Sequence, residues 1–128
     1  MNRPHGPATD EKRLFVPDIL NSRVLIWNSI PTKNNTPADI VLGQPNFTSS
    51  TANNGGRSAS TLQSPNGVLI YKGKLFIADN TNCRVLIFNS LPTTNGASAN
   101  VVVGQTDFTS ANNSLTSSGL SCSSGIGT

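Results

Sequence analysis

The chain has 128 residues and a formal net charge of +3, with 12% charged and 5% aromatic residues, while Ser, Thr and Asn together fill 45 positions. This length corresponds to one domain with its own hydrophobic core, and the many short polar side chains favour β structure with long polar turns. Because the basic residues are scattered and no apolar run nears the ~20 residues needed to cross a bilayer, neither a nucleic-acid-binding surface nor a membrane segment is predicted.

The N-terminal residues Met1 to Pro7 contain no apolar core of the kind that a secretory signal requires. No signal peptide is therefore predicted, and either the mature chain begins at this point or the sequence is an excerpt. The richness in Asn, Ser and Thr and the low charge are typical of exported bacterial repeat proteins, so we expect an extracellular or periplasmic location.

The sequence contains an internal repeat. Residues 4–49 return without a gap, at an offset of 61, as residues 65–110, with 22 identities in 46 aligned positions. Leu14 and Phe15 return as Leu75 and Phe76, for example. A constant period of this size indicates a modular array of structural units.

The first unit departs from the second at positions where strands are expected. Pro7 stands at the position of Val68, and Pro17 at that of Ala78, and each proline removes a backbone hydrogen-bond donor. Residues 10–13 are also more charged than their counterparts. We expect a weakened or terminal unit here.

The second unit gives the clearer prediction of strands. Residues 68–71 form a short apolar strand, and Lys72 and Gly73 make a tight turn into a strand over 74–78. Residues 79–82 form a turn, followed by a strand over 84–88 that is rich in β-branched and aromatic residues. A loop over 89–99 leads to a fourth strand over 100–103, and a polar stretch without periodicity follows.

A third unit begins near the C-terminus, because residues 120–126 resemble residues 62–68 in the spacing of Leu, Gly and a β-branched residue. No segment of the chain shows a convincing helical period. Four short strands joined as a meander are typical of one blade of a β-propeller.

The motifs of the second unit closely resemble the NHL repeat. The family pattern reads P-x-G-(V/I), a strand, then (V/I)-A-D-x-x-N-x-R-(V/I)-x-x-(F/W), and this sequence matches it at 65–68, 74–79, Asn82 and 84–88. The resemblance occurs twice, over roughly residues 2–28 and 63–89. It implies a β-propeller, commonly with six blades, that acts as a scaffold for binding proteins, RNA or ligands; a minority of the family are enzymes.

We therefore predict an all-β chain built from two propeller blades, each a four-stranded antiparallel meander. Blade 1 covers residues 1–62, blade 2 covers 63–119, and residues 120–128 start a third repeat. Two blades share a single interface, so half of the burial of a closed ring is missing and the isolated chain is expected to be marginal. The missing burial would be restored by more blades in a longer chain, by a ring of several copies, or by open stacking.

One charged cluster recurs in both units. It consists of an Asp, an Asn three residues later and an Arg two residues after that: Asp18, Asn21, Arg23, Asp79, Asn82 and Arg84. Asp and Asn at a turn bond to nearby backbone groups, and an Arg beside them ties segments together, so we expect a structural role. A calcium loop of the EF-hand type is excluded because Thr81 occupies a ligand position. No catalytic residue, metal site or cofactor is predicted.

Cys83 and Cys122 are the only cysteines, and their separation matches no zinc or haem motif. They form either a disulfide, if the chain is exported, or two free buried thiols. His5 is the only histidine. The lyases that resemble this family use several metal-binding histidines, so the chain departs from them where chemistry would reside.

These observations favour a non-catalytic structural or protein-interaction module. Its partners would be further copies of itself, contacting blade to blade, and a protein or glycan bound at the loops. Alternatives are a ligand-binding or catalytic funnel completed by blades outside this chain, RNA binding as in animal NHL proteins, and an open polymer in which residues 120–128 pair with the next copy.

Overall fold

The computed structural model describes residues 1–122, which form two four-stranded antiparallel sheets and almost no helix. The strands of the first sheet run in the order β1-β2-β3-β4 and those of the second in the order β5-β6-β7-β8. Their bounds are β1 Ala8–Thr9, β2 Leu14–Asp18, β3 Arg23–Trp27, β4 Ile40–Leu42, β5 Pro65–Tyr71, β6 Lys74–Asp79, β7 Arg84–Phe88 and β8 Val101–Val103. The prediction of an all-β chain with four-stranded antiparallel units is confirmed.

The two middle strands of each sheet are joined by a single turn of 3-10 helix, Ile19–Asn21 in the first sheet and Asn80–Asn82 in the second. Each turn ends in a residue with left-handed backbone, Ser22 with φ 51° and Cys83 with φ 52°. A left-handed residue reverses the chain direction at the end of a helical turn. The two units therefore build the same local connection from different side chains.

The first strands of the two sheets differ most, since β1 has two residues and β5 has seven. In the second sheet, Tyr71 pairs with Lys74 across a two-residue turn in which Lys72 and Gly73 have positive φ, the geometry of a type I′ hairpin. In the first sheet, Pro7 precedes β1, and Asp10 accepts bonds from the backbone N–H groups of the two residues at 12 and 13 in a wider turn. Because of this proline and the wider turn, fewer residues of β1 pair with β2.

The main hydrophobic core lies between the two sheets. One face of the first sheet packs against one face of the second, which we call their inner faces. The fully buried side chains of this core include Phe15, Val24, Ile26 and Leu42 from the first sheet and Leu75, Ile77 and Leu86 from the second. A second, smaller cluster lies on the opposite face of the first sheet and contains Val16, Leu25, Trp27 and Val41. Successive side chains of a strand point to opposite faces of the sheet, which separates the two clusters.

After each sheet the chain returns along the outer strand. Gly43 forms an isolated bridge with Thr61, and Gly104 forms the corresponding bridge with Gly119. Leu62 packs on Gly43 and Leu120 on Gly104, so the two leucines occupy equivalent places. The predicted third repeat begins at Leu120, but residues 123–128 of it lie outside the described residues. Within residues 1–122, no helix is long and apolar enough to cross a membrane.

Candidate functional site

The two Asp-Asn-Arg clusters lie where the middle strands of each sheet meet the 3-10 turn. The aspartate ends one strand and the arginine begins the next, so that Asp18 pairs with Arg23 and Asp79 with Arg84 in the ladder. Directly opposed residues project their side chains from the same face of a sheet. The structure therefore brings together, in each unit, the three residues that the sequence singled out.

In the first cluster, the Asp18 carboxylate accepts three kinds of donor. Asn21 Nδ2 lies 2.9 Å from Oδ2, Arg23 Nε lies 2.8 Å from the same oxygen, and the backbone N–H of Asn2 bonds to Oδ1. The Arg23 guanidinium also donates to the carbonyl of Phe47. This cluster ties the N-terminal segment and the connection after β4 to the middle of the first sheet.

The second cluster reproduces these contacts at the same offset of 61. Asn82 Nδ2 and Arg84 Nε each lie 2.7 Å from Asp79 Oδ2, and the backbone N–H of Gln63 lies 2.8 Å from Oδ1. Arg84 donates to the carbonyl of Phe108 at 2.6 Å. Every one of these partners is the repeat counterpart of a partner in the first cluster.

The second arginine makes two further bonds that its counterpart lacks. Arg84 Nη2 donates to the carbonyls of Ser58 and Thr61, each at 2.9 Å. Both carbonyls belong to the connection between the two sheets. The Arg84 side chain is fully buried, whereas that of Arg23 is 12% exposed. The second cluster therefore fastens the first unit to the second as well as holding its own sheet.

Asn82 extends this cluster into a network of amides. Asn82 and Asn53 donate to each other, with Asn82 Nδ2 to Asn53 Oδ1 at 2.8 Å and Asn53 Nδ2 to Asn82 Oδ1 at 3.0 Å. Asn53 also donates to Gln63 Oε1 at 2.9 Å, and Arg57 Nε donates to Asn82 Oδ1 at 2.9 Å. Asn53 and Arg57 were not singled out from the sequence, because they lie in a polar segment without periodicity.

The balance between burial and hydrogen bonding differs at the two aspartates. Burial raises the pKa of the Asp79 carboxyl, and this effect outweighs the bonds from Asn82, Gln63 and Arg84 that stabilise the carboxylate. Burial also raises the pKa of Asp18, but the bonds from Asn21, Asn2 and Arg23 prevail there, and its pKa lies below the ordinary value. The buried Asp79 carboxylate therefore depends on its bonds from Asn82, Gln63 and Arg84 to remain charged.

The contacts of both clusters are those of cross-links between segments. The arginines donate to backbone carbonyls, and each carboxylate accepts from an amide, a guanidinium and a backbone N–H. Buried polar groups that are bonded in this way rigidify a fold. Within residues 1–122, no three His, Cys, Asp or Glu side chains come together as a potential metal site.

The cysteines and the histidine make two further links between segments. Cys83 and Cys122 are joined by a disulfide with a Cα–Cα distance of 5.1 Å, which fastens the C-terminal segment to the turn after β6. His5 Nδ1 lies 2.9 Å from the carbonyl of Asn66 and links the segment before β1 to β5. Both features connect segments that are distant in sequence.

A pocket of about 200 Å³ lies beside the second sheet, in the C-terminal segment. It is smaller than the ~300 Å³ at which ligand pockets usually begin. Its lining offers hydroxyl and amide groups from Gly104, Gln105, Thr106, Asn112, Ser114, Thr116, Ser118 and Gly119. Gln105 and Asn112 bond to each other across it, Gln105 Nε2 to the Asn112 carbonyl and the Asn112 N–H to Gln105 Oε1, each at 2.8 Å.

Comparison with protein-family models and with curated proteins finds no match to this sequence.

Proposed function

We propose that the chain is a pair of β-propeller blades of the NHL type, which serves as a non-catalytic structural and protein-interaction module within a larger propeller or a self-assembled one. The observation that supports this most is the way in which the sheets stack. Phe15 and Ile26 belong to one face of their unit, and Leu75 and Leu86, which pack in the same core, belong to the opposite face of theirs.

Stacking of this kind can continue from unit to unit. A blade in a propeller packs one face on the preceding blade and the other on the following blade. The contacts between the sheets extend beyond the core, because Val41 N–H donates to Asn95 Oδ1 at 3.0 Å and Gly96 N–H donates to the Val41 carbonyl at 2.8 Å. The second unit thereby pairs with the open edge of β4.

The charged clusters support a structural role for the residues that would otherwise be candidates for chemistry. Arg84 bonds to four different residues, and Asn82 bonds to three. A catalytic acid or nucleophile needs a free face toward a substrate. Asp79 is fully buried, so its carboxylate presents no such face.

Partner binding would use the polar connections after each sheet, residues 44–60 and 105–119. They are rich in Asn, Ser and Thr, and many of their side chains are exposed. Hydroxyl and amide groups of this kind suit adaptable hydrogen bonding to a protein or a glycan, and loops are where binding residues concentrate. A partner that is recognised mainly by hydrogen bonds also fits a chain in which only 12% of the residues are charged.

A tandem protein made of one repeated unit tests the blade assignment. Six copies of residues 62–119 would be joined end to end. At each junction, Leu62 of one copy follows Gly119 of the copy before it and takes the position of Leu120. Each copy carries Cys83→Ser, which matches Ser22 of the first unit. We expect a closed compact ring by electron microscopy and small-angle X-ray scattering. An extended, open stack would reject the propeller. The same chain carrying Leu86→Lys in every copy is the control, since a charge between the sheets should prevent stacking.

A further inference from the structure

The chain contains three Asn-Gly pairs, at residues 54–55, 66–67 and 95–96. An asparagine that precedes glycine can lose its side-chain amide without an enzyme, because glycine has no Cβ to hinder attack by its backbone nitrogen on the asparagine Cγ. The attack requires the peptide group between the two residues to rotate until the nitrogen reaches Cγ. Contacts that hold this peptide group therefore decide which pair reacts.

The pair at 95–96 is held against the first sheet. The Gly96 N–H donates to the Val41 carbonyl at 2.8 Å, and Asn95 Oδ1 accepts from the Val41 N–H at 3.0 Å. The attacking nitrogen and the side chain that it would attack are therefore both engaged. Reaction at this pair requires the contact between the two sheets to open first.

The pair at 66–67 is held within a strand. Asn66 and Gly67 belong to β5, and Gly67 pairs with Ala78 of β6. The Asn66 carbonyl also lies 2.9 Å from His5 Nδ1, in the segment before β1. Rotation of this peptide group would disturb the ladder between β5 and β6 and would break the contact with His5.

The pair at 54–55 lies in an open turn. The Gly56 N–H donates to the Asn53 carbonyl at 2.7 Å and closes this turn. Within residues 1–122, neither the Gly55 N–H nor the Asn54 carbonyl bonds to another group of the chain. Gly55 is exposed, and no atom lies within 4 Å of its Cβ position. This peptide group is therefore free to rotate.

We infer that Asn54 is the site at which this protein deamidates spontaneously. The Gly55 nitrogen loses its proton to hydroxide and bonds to Asn54 Cγ, the bond between Cγ and the amide nitrogen breaks, and ammonia leaves. Water then opens the resulting succinimide ring at either carbonyl and leaves aspartate or isoaspartate at this position. Hydroxide and water are the only co-reactants, and nothing is oxidised or reduced. The inference is independent of the proposed function.

The product of this reaction disturbs a buried amide. Asn54 Nδ2 donates to Gln44 Oε1 at 3.1 Å, and Gln44 is only 1% exposed. Gln44 Nε2 donates in turn to the carbonyls of Ser22 and Thr51, at 3.1 and 2.8 Å. A carboxylate in place of the Asn54 amide removes the donor and turns two acceptors toward each other, so Gln44 loses a bond that burial makes costly to lose.

Isoaspartate would also change the backbone of the connection between the two units. It adds one carbon to the main chain between Asn53 and Arg57, both of which bond to Asn82 in the second unit. The same connection carries the Ala59 carbonyl, which accepts from the Ala99 N–H at 2.8 Å. We therefore expect modification of this connection to loosen the contact between the units.

Peptide mapping by mass spectrometry, after incubation of the oxidised chain at mildly alkaline pH, tests the site. Asn54 should deamidate at least about tenfold faster than Asn66 or Asn95, because the peptide groups of the latter two must first lose the contacts that hold them. In concentrated urea, which unfolds the chain, the three pairs should react at similar rates. Equal rates in the folded chain would overturn the inference, and so would a difference that persists unchanged in urea.

Two variants test the consequence for the fold. Asn54→Asp introduces the carboxylate directly and should lower the midpoint of thermal unfolding by about 3–6 °C, with faster hydrogen exchange at the Ala99 N–H. Asn34→Asp is the matched control for charge, because Asn34 is exposed and its side chain bonds to no other group within residues 1–122. Equal effects of the two variants, or no effect of Asn54→Asp, would overturn the assigned role of the bond to Gln44.

Discussion

Arg84 and Asp79 form a fully buried ion pair, with Arg84 Nε 2.7 Å from Asp79 Oδ2, at the junction between the two sheets. The counterpart pair, Arg23 and Asp18, has nearly the same separation of 2.8 Å but keeps its arginine partly exposed. The repeat has therefore placed one pair of residue types in two environments. This allows the contribution of the environment to be measured within a single chain.

We predict that Arg84→Ala destabilises the fold more than Arg23→Ala. Removing Arg84 leaves a buried carboxylate unpaired and frees the carbonyls of Ser58 and Thr61, which should cost about 3–5 kcal/mol in the free energy of unfolding. Asp18 is buried as well, but Arg23 is partly exposed and lacks the two extra carbonyl bonds of Arg84, so removing it should cost less, about 1–3 kcal/mol. Chemical denaturation of both variants measures the difference, and equal losses would show that the bonds to the connection contribute nothing.

Gly43 should tolerate no side chain. Its φ is +85°, and a Cβ there would lie 2.7 Å from Leu62 Cδ1 and 2.8 Å from the Ser22 carbonyl oxygen. Gly55 is the control, because its φ is +81° and no atom lies within 4 Å of its Cβ position. Gly55→Ala should cost about 1–2 kcal/mol from backbone strain alone. Gly43→Ala should cost about 1–3 kcal/mol more from the clash. Thermal unfolding of the two variants measures this difference. Equal losses of stability in both would contradict a clash at Gly43.

The disulfide should stabilise the C-terminal segment more than the sheets. Cys83 and Cys122 are 39 residues apart, and loop entropy alone predicts about 4 kcal/mol for a bridge of this span. The double variant Cys83→Ser and Cys122→Ser should therefore lose protection from hydrogen exchange first over residues 104–120, while β2 and β3 stay protected. A uniform loss over the whole chain would contradict this localisation.

Asp107 should titrate at unusually low pH. Hydrogen bonds from the side chains of Thr109 and Ser110 and from their backbone N–H groups lower its pKa to about 2. A depressed pKa in the folded state means that these bonds stabilise the loop above the ordinary value of 3.8 and are lost as the pH falls through about 2. NMR titration of the Asp107 carboxyl measures this, and Thr109→Val should raise the pKa toward its ordinary value. An unchanged pKa in that variant would contradict the assigned cause.

The strands of the second sheet were predictable because their side chains carry the signal locally. The runs over 74–78 and 84–88 are rich in β-branched and aromatic residues, and the structure places strands at Lys74–Asp79 and Arg84–Phe88. The start of β5 at Pro65 was not predictable, because Pro65 pairs with Asp79 across an irregularity in the register. Propensity does not report a bulge that tertiary pairing imposes.

The cluster residues were also predictable from their spacing, but their partners were not. Asp79, Asn82 and Arg84 lie within six residues of one another, so one turn and one strand pair suffice to assemble them. Asn53 and Arg57 reach Asn82 from 29 and 25 residues away, in a segment whose composition resembles every other polar loop in the chain. Contacts over such distances follow from the fold and leave no periodic pattern in the sequence.

The packing of Leu62 on Gly43 has a consequence for how such chains change over time. The leucine follows the polar connection, yet the residue that needs it belongs to the sheet before that connection. Gly104 and Leu120 have the same relationship. Selection on each leucine should therefore act through the unit that precedes it, while the positive φ of each glycine keeps the glycine itself in place. Genetic duplication or exchange of units would preserve this partnership wherever the breakpoint falls, as long as another unit follows.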